Sequence, residues 1–260
     1  MRAVEKPSPR IAQIAVVDYG MGNRRSVHKA LEHVGAQAAI TRDHDELRAA
    51  DALVVPGVGA FPLAMRNLRE LGLDDVIRAC VADGVPLLGI CLGMQLLFER
   101  SEELEATEGL GLIPGTVTRL DAGGRRVPHI GWNDVSFQRC SPLTEGLPVD
   151  GCPFYHVHSL AARPSDPQDT VGTSEYGERF VTIVTRGRVL GVQFHPEKSS
   201  AHGLTMLRSF TRMCRAARGT PGTSGTSGTP GAPGTSGTLG TPGAPAAAGA
   251  RVVAPAPARA

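Results

Sequence analysis

Runs of apolar residues alternate with amphipathic stretches through the first half of the chain. Apolar, β-branched residues at 11–19 predict one buried strand, and those at 51–55 predict a second. Helical spacing follows each of them, at 23–35 and at 61–83, where a break near Gly72 divides the segment into two helices. Strands that alternate with helices indicate an α/β domain whose first half is a parallel sheet.

A further apolar run, residues 85–90, precedes an amphipathic stretch at 92–100, which predicts a sharp turn from strand into helix at Cys91. Short β-branched runs between Gly, Pro and Asn residues then predict mixed strands, and a last helix is predicted over 201–217. Ligands should gather at the carboxyl ends of the parallel strands. The predicted mixed strands cover 115–120, 134–137, 154–157, 181–185 and 188–194.

Both ends of the chain differ in composition from this pattern. Glycine recurs at every third position from 219 to 245, which invites a collagen interpretation. The run is short, and the residue that follows each glycine is Thr or Ala and never proline. A disordered tail over 218–260 is therefore the better prediction. Residues 1–10 contain no apolar segment and predict a flexible N-terminal segment. The folded domain should therefore span 11–217.

Charge and cysteine content exclude several classes of protein. The net charge is only +2 and the basic residues are scattered, so nucleic acid is not an expected partner. No apolar run reaches membrane length, and five widely spaced cysteines favour a reducing cytoplasm. Neither a metal-ligand cluster nor a phosphate loop is evident, so no cofactor or metal is expected.

The segment Gly-Ile-Cys-Leu-Gly at 89–93 has the form of a nucleophile elbow. Gly89 and Gly93 flank the tight turn, where side chains would collide with the neighbouring strands or the helix. Cys91 would then stand at a helix N-terminus, whose free N–H groups favour the reactive thiolate. Alone, a cysteine is often only a small buried apolar residue, but the elbow context favours a nucleophile.

About a hundred positions later the chain reads Gly-Val-Gln-Phe-His-Pro-Glu-Lys-Ser, at 191–199. His195 would serve as the base, and Glu197 would hold its tautomer and stabilise the imidazolium. These two residues could instead form a surface ion pair at a strand end. With Cys91 they complete a Cys-His-Glu triad, which indicates a cysteine hydrolase.

Over residues 11–214 the chain resembles class I (triad) glutamine amidotransferases, and most nearly the glutaminase subunits of imidazole glycerol phosphate synthases. The resemblance implies a flavodoxin-like fold, with a mostly parallel central sheet, helices on both faces and additional mixed strands. The motifs that carry it, beside the elbow and His-Pro-Glu-Lys, are Asp18-Tyr-Gly-Met-Gly-Asn23, Pro56-Gly-Val-Gly-Ala-Phe61, Gly111-Leu-Ile-Pro-Gly115 and Pro128-His-Ile-Gly-Trp-Asn133. Family members usually read Tyr-Phe-Val-His-Ser-Tyr where this chain has His156 and Leu160.

The expected reaction is hydrolysis of L-glutamine to glutamate and ammonia through a thioester on Cys91. The tetrahedral oxyanion needs N–H donors, and Leu92 behind the elbow offers one. The second should come from Val58 or Gly59, in the glycine-rich loop at the end of the strand at 51–55. The resemblance also implies that Gln95 and the backbone of His158 to Leu160, which includes Ser159, hold the amino-acid end of the substrate, and that Gly57 belongs to the same site. Taken alone, His158 would more often be a structural histidine.

The same resemblance implies a partner, a (β/α)8-barrel cyclase that receives the ammonia in a heterodimer. It places Asn23, Trp132, Asn133 and Lys198 on the docking face, with the lone tryptophan as an exposed anchor. Other functions stay open. They are the glutaminase subunit of another amidotransferase, a stand-alone γ-glutamyl cysteine hydrolase, and a catalytically silent interaction subunit.

Overall fold

The computed structural model describes residues 11–217, so both predicted terminal segments, 1–10 and 218–260, lie outside the described residues. The helices are α1 (Arg24–His33), α2 (His44–Ala49), α3 (Phe61–Glu70), α4 (Leu73–Ala82), α5 (Leu92–Leu96) and α6 (Ser200–Ala217). The strands are β1 (Gln13–Val17), β2 (Gln37–Thr41), β3 (Ala52–Val55), β4 (Leu87–Ile90), β5 (Phe98–Ser101), β6 (Thr107–Glu108), β7 (Ile113–Arg119), β8 (His129–Phe137), β9 (Cys152–His158), β10 (Leu160–Pro164), β11 (Thr170–Tyr176), β12 (Glu178–Arg186) and β13 (Val189–Val192).

Five parallel strands form the part of the sheet that carries the site, in the order β2-β1-β3-β4-β13. Every residue of β3, β4 and β13 is buried. Parallel strands are covered by helices on both faces, which explains their continuous apolar sequences. The order β2-β1-β3 places a topological switch point next to β1, where open α/β sheets bind their ligands.

The second half of the chain extends this sheet with mostly antiparallel strands. From β13 the sheet continues through β12, β10 and β7 to β5 and β6. A branch leaves β12 through β11 and ends in β8 and β9, whose antiparallel pairing joins Trp132 to Tyr155 and His129 to His158. The predicted α/β class with a parallel first half and mixed additions is therefore confirmed.

Helices pack on both faces of the parallel strands. On one face, Val27 and Leu31 of α1 and Phe210 of α6 are buried against Val16 and Val54. On the other face, the apolar sides of α3 and α4 cover the sheet together with α2 and α5. Of the helices within 11–217, none is long and apolar enough to cross a membrane.

The predicted helix over 92–100 is wrong in both length and character. The helix α5 ends at Leu96, all five of its residues are buried, and the chain continues as the strand β5. The cause is a non-local pairing: β5 lies parallel to β7, and the backbone N–H groups of Leu112 and Ile113 donate to the carbonyl of Leu97. A local hydrophobic pattern contains no information on such pairing.

Other elements were absent from the sequence prediction, among them α2, β2, β10 and β11. The strand predicted as the second is consequently β3, because β2 lies between it and β1 in the chain. β2 is a half-exposed edge strand with two alanines, and α2 has only six residues behind its Asp43 cap. Short elements with few apolar positions give weak periodic signals.

Candidate active site

The carboxyl ends of four parallel strands meet at one edge of the sheet. β1 leads into the loop that contains Tyr19 and Asn23, and β3 leads into the glycine-rich loop at 56–59. β4 ends directly before Cys91, and β13 ends two residues before Phe194 and three before His195. β4 lies directly beside β13, so Cys91 and His195 come from neighbouring strand ends. The order of the strands thus brings distant parts of the chain to one site.

Cys91 has the strained backbone of a nucleophile elbow, with φ 55° and ψ −110°. Its N–H donates to the carbonyl of Val192 at 2.8 Å, which fixes the elbow to β13. A Cβ on Gly93 would lie 1.7 Å from the carbonyl oxygen of Val55, and one on Gly89 would lie 2.5 Å from the carbonyl oxygen of Gly93. The two glycines are needed for close packing, as the sequence pattern predicts.

His195 and Glu197 form a hydrogen-bonded pair whose side chains are 1% and 0% exposed. Nδ1 of His195 lies 2.8 Å from Oε1 of Glu197, and Nδ2 of Asn23 donates to the same oxygen at 2.6 Å. The surface ion-pair alternative is therefore excluded. A carboxylate only accepts, so Nδ1 carries a proton and Nε2 is the nitrogen left for Cys91.

Burial lowers the pKa of His195, but hydrogen bonds to Cys91 and Glu197 outweigh it and raise the pKa to about 9. The environment thus favours an imidazolium beside the nucleophile. A protonated histidine next to a cysteine is the arrangement that stabilises a thiolate and supplies a proton to a leaving amine.

The segment that carries His195 is held by a residue that the sequence reasoning missed. Ser199 is completely buried, its hydroxyl donates to the His195 carbonyl at 2.7 Å, and it accepts from the N–H of Tyr155 at 3.0 Å. The backbone N–H of His195 also donates to the Tyr155 carbonyl, at 2.9 Å. These bonds fix the triad segment to β9.

A cavity of about 210 Å³ opens beside Cys91. The predicted residues Val58, Gly59, Leu92, Gln95, His158 and Ser159 line it, together with Glu103, Pro128, Val157 and Leu160. Glu103 was not predicted. One of its carboxylate oxygens, Oε2, accepts from the N–H of Phe61 at 2.6 Å. Its sequence signal was only one acid among several after the elbow, so spacing alone could not identify it.

The loop at 56–59 packs against the elbow. Gly57 is not among the residues that line the cavity, and a Cβ there would stand 2.3 Å from the hydroxyl of Tyr19 and 3.2 Å from Cβ of Leu92. Gly59 has φ +127°, a backbone conformation that favours glycine. The Tyr19 hydroxyl donates to the carbonyl of Pro56 at 2.5 Å. Burial, and secondarily the negative charge of Cys91, raise the pKa of Tyr19 above its usual range.

His158 lines the cavity, but its ring is occupied elsewhere. Nδ1 lies 2.8 Å from the carbonyl of Leu160, and Nε2 lies 3.0 Å from Nδ1 of His129. Since a carbonyl only accepts, Nδ1 of His158 is the donor and its Nε2 accepts from His129. Of this residue, the backbone rather than the imidazole is therefore available to a substrate.

His129, His156 and His158 form a buried histidine cluster. His156 stacks on His129 at 5.2 Å between ring centres, and its nitrogens face the Phe154 carbonyl at 3.1 Å and the Thr182 hydroxyl at 2.9 Å. Burial, chiefly, lowers the pKa of both His129 and His158 to about 4 and lowers that of His156 well below its usual value. His156 thus fills an aromatic position as a neutral ring.

The structure separates the four predicted docking residues. Trp132 is 54% exposed and contacts Tyr155 edge-to-face at 6.1 Å, and Lys198 is also exposed. Asn133 points to the other face of β8, where its amide donates to the Glu175 carbonyl at 3.0 Å. Asn23 belongs to the triad network through Glu197. Only Trp132 and Lys198 have the exposure expected of docking residues.

Comparisons with known proteins agree with this geometry. The sequence model of the family "Glutamine amidotransferase class-I" matches residues 15–214. The chain is 50% identical over 204 residues to "Imidazole glycerol phosphate synthase subunit HisH" of Moorella thermoacetica, covering 78% of this chain and 96% of that protein. It is 48% identical over 212 residues to the protein of the same name from Methylococcus capsulatus, covering 78% and 97%.

Solved structures share the fold. A structure titled "Crystal structure of glutamine amidotransferase" matches with a TM-score of 0.60 and 25% identity, covering 79% of this chain and 99% of that chain. PurLQS from Thermotoga maritima matches with a TM-score of 0.63 and 19% identity, covering 78% and 99%. With an elbow cysteine, a His-Glu pair and a family match over nearly all of the described residues, this chain belongs to the class-I glutamine amidotransferases.

Proposed function

We propose that this chain is the glutaminase subunit of imidazole glycerol phosphate synthase. It hydrolyses L-glutamine and passes ammonia to a (β/α)8-barrel cyclase, which makes imidazole glycerol phosphate and an aminoimidazole ribonucleotide in histidine biosynthesis. The observation that carries the proposal is the meeting of Cys91, His195 and Glu197 beside a small cavity. The similarity to proteins named as subunits of this synthase supports the choice of pathway.

The reaction begins when the Cys91 thiolate attacks the carboxamide carbon of glutamine. The imidazolium of His195 gives its Nε2 proton to the departing nitrogen, so ammonia leaves and a γ-glutamyl thioester remains on the sulfur. Neutral His195 then takes a proton from water, whose oxygen attacks the thioester and releases glutamate. Glu197 stabilises the His195 imidazolium each time it forms, without accepting the proton itself.

Charge that develops on the oxygen of the tetrahedral intermediate needs fixed donors. We assign this role to the N–H of Leu92 and to that of Val58 or Gly59, all of which line the cavity. One such donor is worth about 3–4 kcal/mol in the transition state. The glycines of the loop allow its peptide to rotate, so an inward carbonyl would leave the isolated chain slow.

Recognition of the amino-acid end is assigned to Gln95, Glu103 and the backbone at 158–160. The cavity is smaller than the 300–1,000 Å³ that is typical of larger ligands, which fits a single amino acid. The Glu103 carboxylate supplies a negative charge for the α-ammonium group. Gly57 contributes by allowing the loop to approach Leu92 rather than by touching the substrate.

The partner surface is assigned to the exposed side of β8 and the end of the triad segment. Trp132 and Ile130, which are 54% and 60% exposed, lie on the same face of β8, and exposed Lys198 adds a positive charge near the triad. Exposed aromatic residues are frequent interface anchors. Direct transfer of ammonia to a bound partner also prevents its protonation to ammonium.

All five cysteines are free thiols, which supports a cytoplasmic location as part of the proposal.

Glutamate release by the full chain, with and without a cyclase subunit carrying its ribulosyl substrate, tests the proposal. We expect slow release alone and a stimulation of about 10²- to 10³-fold in the complex, the worth of one oxyanion donor. Trp132→Ala should weaken the stimulation, whereas Val149→Ala, at a position 89% exposed in the loop before β9, should leave it intact. Equal rates with and without the cyclase would favour a stand-alone hydrolase and contradict the proposal.

A further inference from the structure

Gln193 is a buried amide that lies between the nucleophile Cys91 and Gln95. It follows β13, two residues before His195, and is completely inaccessible to solvent. Its Nε2 lies 3.8 Å from Sγ of Cys91, and its Oε1 accepts from Nε2 of Gln95 at 3.0 Å. A buried amide is costly unless its polar atoms are paired, and here both ends are paired within the site.

The ionisation of Cys91 determines which way this amide points. The neutral thiol can donate to the Val157 carbonyl, 3.6 Å away, whereas a thiolate only accepts and so favours the N–H₂ end of Gln193 toward the sulfur, the orientation that the structure has. Oε1 of Gln193 then faces Gln95 and can only accept. That in turn requires Gln95 to present its own N–H₂ group to Gln193.

The orientation of Gln95 has a consequence in the cavity. With its nitrogen engaged, the side chain of Gln95 has its carbonyl oxygen left to offer to the space that it lines. Glu103, in the same lining, has one carboxylate oxygen on Phe61 and a second that is uncommitted to that bond. Two acceptors suit an α-ammonium group, which has only donors.

We propose that Gln193 is a positioning residue that couples the ionised nucleophile to recognition of the substrate's α-ammonium group through Gln95. The inference rests on the proposed glutaminase function and adds a residue and a specificity to it. When Cys91 is a thiolate, the Gln193–Gln95 pair is locked with the Gln95 oxygen toward the cavity. The same amide stabilises the thiolate by donating to it.

Two variants distinguish the hydrogen bond from Gln193 to the sulfur from the hydrogen bond between Gln193 and Gln95. Gln193→Met removes both hydrogen bonds in a side chain of similar length. Gln193→Glu keeps an oxygen that accepts from Gln95 but replaces the donor toward the sulfur with an acceptor. Gln37→Met, at an exposed position of the edge strand β2, is the matched control.

Two measurements on the full chain in complex with the cyclase follow these two hydrogen bonds independently. The first is the pH dependence of iodoacetamide alkylation at the Cys91 peptide, followed by mass spectrometry. The second is the ratio of kcat/KM for glutamine to that for glutaramate, which lacks the α-amino group. Neither readout would respond to a side chain that only fills space.

We expect Gln193→Met to move the alkylation midpoint to higher pH and to lower the glutamine-to-glutaramate ratio about tenfold, the worth of one hydrogen bond. Gln193→Glu should move the midpoint at least as far while the ratio stays near that of the wild type. If either readout is unchanged in Gln193→Met while the wild type is active, the coupling is wrong. A wild type that releases no glutamate contradicts the proposed function instead.

Discussion

The triad histidine and the buried histidine cluster have pKa shifts of opposite sign. His195 in the triad is 1% exposed, yet its pKa is raised to about 9. His158, which is 5% exposed and also borders the cavity, has its pKa lowered to about 4. Burial opposes the charged form in both cases. The difference therefore comes from the partners of each ring.

In the triad, both ring nitrogens of His195 have a partner that can accept a hydrogen bond, so the ring can hold a second proton. The rings of the histidine cluster lack this arrangement. His195 has the carboxylate of Glu197 at one nitrogen and Cys91 at the other. In the cluster, Asn133 faces His129 at 3.4 Å, and His129 donates to His158, which donates to a backbone carbonyl. Each link has one donor and one acceptor, so an added proton breaks it.

The largest effect should come from removing the nucleophile that gives His195 its charged partner. Cys91→Ala should lower glutamine-dependent formation of imidazole glycerol phosphate by 10³-fold or more, the order seen when a nucleophile is lost. Synthesis from added ammonium salts should persist because the cyclase chemistry is separate. Steady-state assays of the complex with each nitrogen source would show this, and retained glutamine turnover would refute the assignment of Cys91.

A smaller effect should follow from removing the charge of Glu197. Glu197→Gln keeps the shape but takes away the carboxylate that supports the imidazolium, so kcat should fall by about 10²- to 10⁴-fold. The pKa of His195 should fall as well, which would move the pH–rate profile. Asp150→Asn, in an exposed loop, is the matched change. A variant with unchanged kcat and pH profile would place Glu197 outside the mechanism.

The smallest effect concerns the cluster and appears in stability. His156 is neutral in the folded protein, because its folded pKa lies below the unfolded value of 6.5. As the pH falls below 6.5, the unfolded chain binds a proton that the native ring does not, so stability is lost. His195 shows the opposite sign. Its contribution is fully present below 6.5 and is lost as the pH rises toward 9.

His156→Phe should therefore flatten the acid dependence of stability. Phe180 and Phe194 already surround the ring, so a phenyl group suits the position. The slope of unfolding free energy against pH between 6.5 and 5 should decrease by up to about 1.4 kcal/mol per pH unit, the value for one proton. Urea unfolding at several pH values measures it. His33→Gln, at an exposed position on α1, is the control, and an unchanged slope in His156→Phe would show that His156 titrates normally.

The structure brings the three predicted triad residues together, and the sequence could indicate them because they lie in short local motifs. Gly89, Cys91 and Gly93 form a turn whose steric needs can be read directly, and His195 and Glu197 are two residues apart. The cluster was invisible for the opposite reason: His129 and His158 meet only through the pairing of β8 with β9. Gln193 likewise reaches Gln95 across 98 positions of sequence. Non-local contacts of this kind depend on register, which local patterns do not determine.

The same distinction applies to the docking residues. Trp132 and Asn133 are neighbours in sequence, and the family motif groups them together. On a strand, however, adjacent side chains point to opposite faces, so only Trp132 shares the exposed side with Ile130. Asn23, grouped by the motif with the interface, instead donates to Glu197. Motifs identify which residues matter more reliably than what each one contacts.

The charge of individual histidines tests the account most directly. We would follow the ¹⁵N imidazole resonances of the full chain between pH 4 and 10, with Cys91→Ala and His156→Phe to assign the rings. We expect His195 to stay protonated until about pH 9, and His129 and His158 to stay neutral down to about pH 4. In Cys91→Ala, His195 should titrate at lower pH. A wild-type His195 that is neutral at pH 7, or cluster histidines that are charged there, would contradict it.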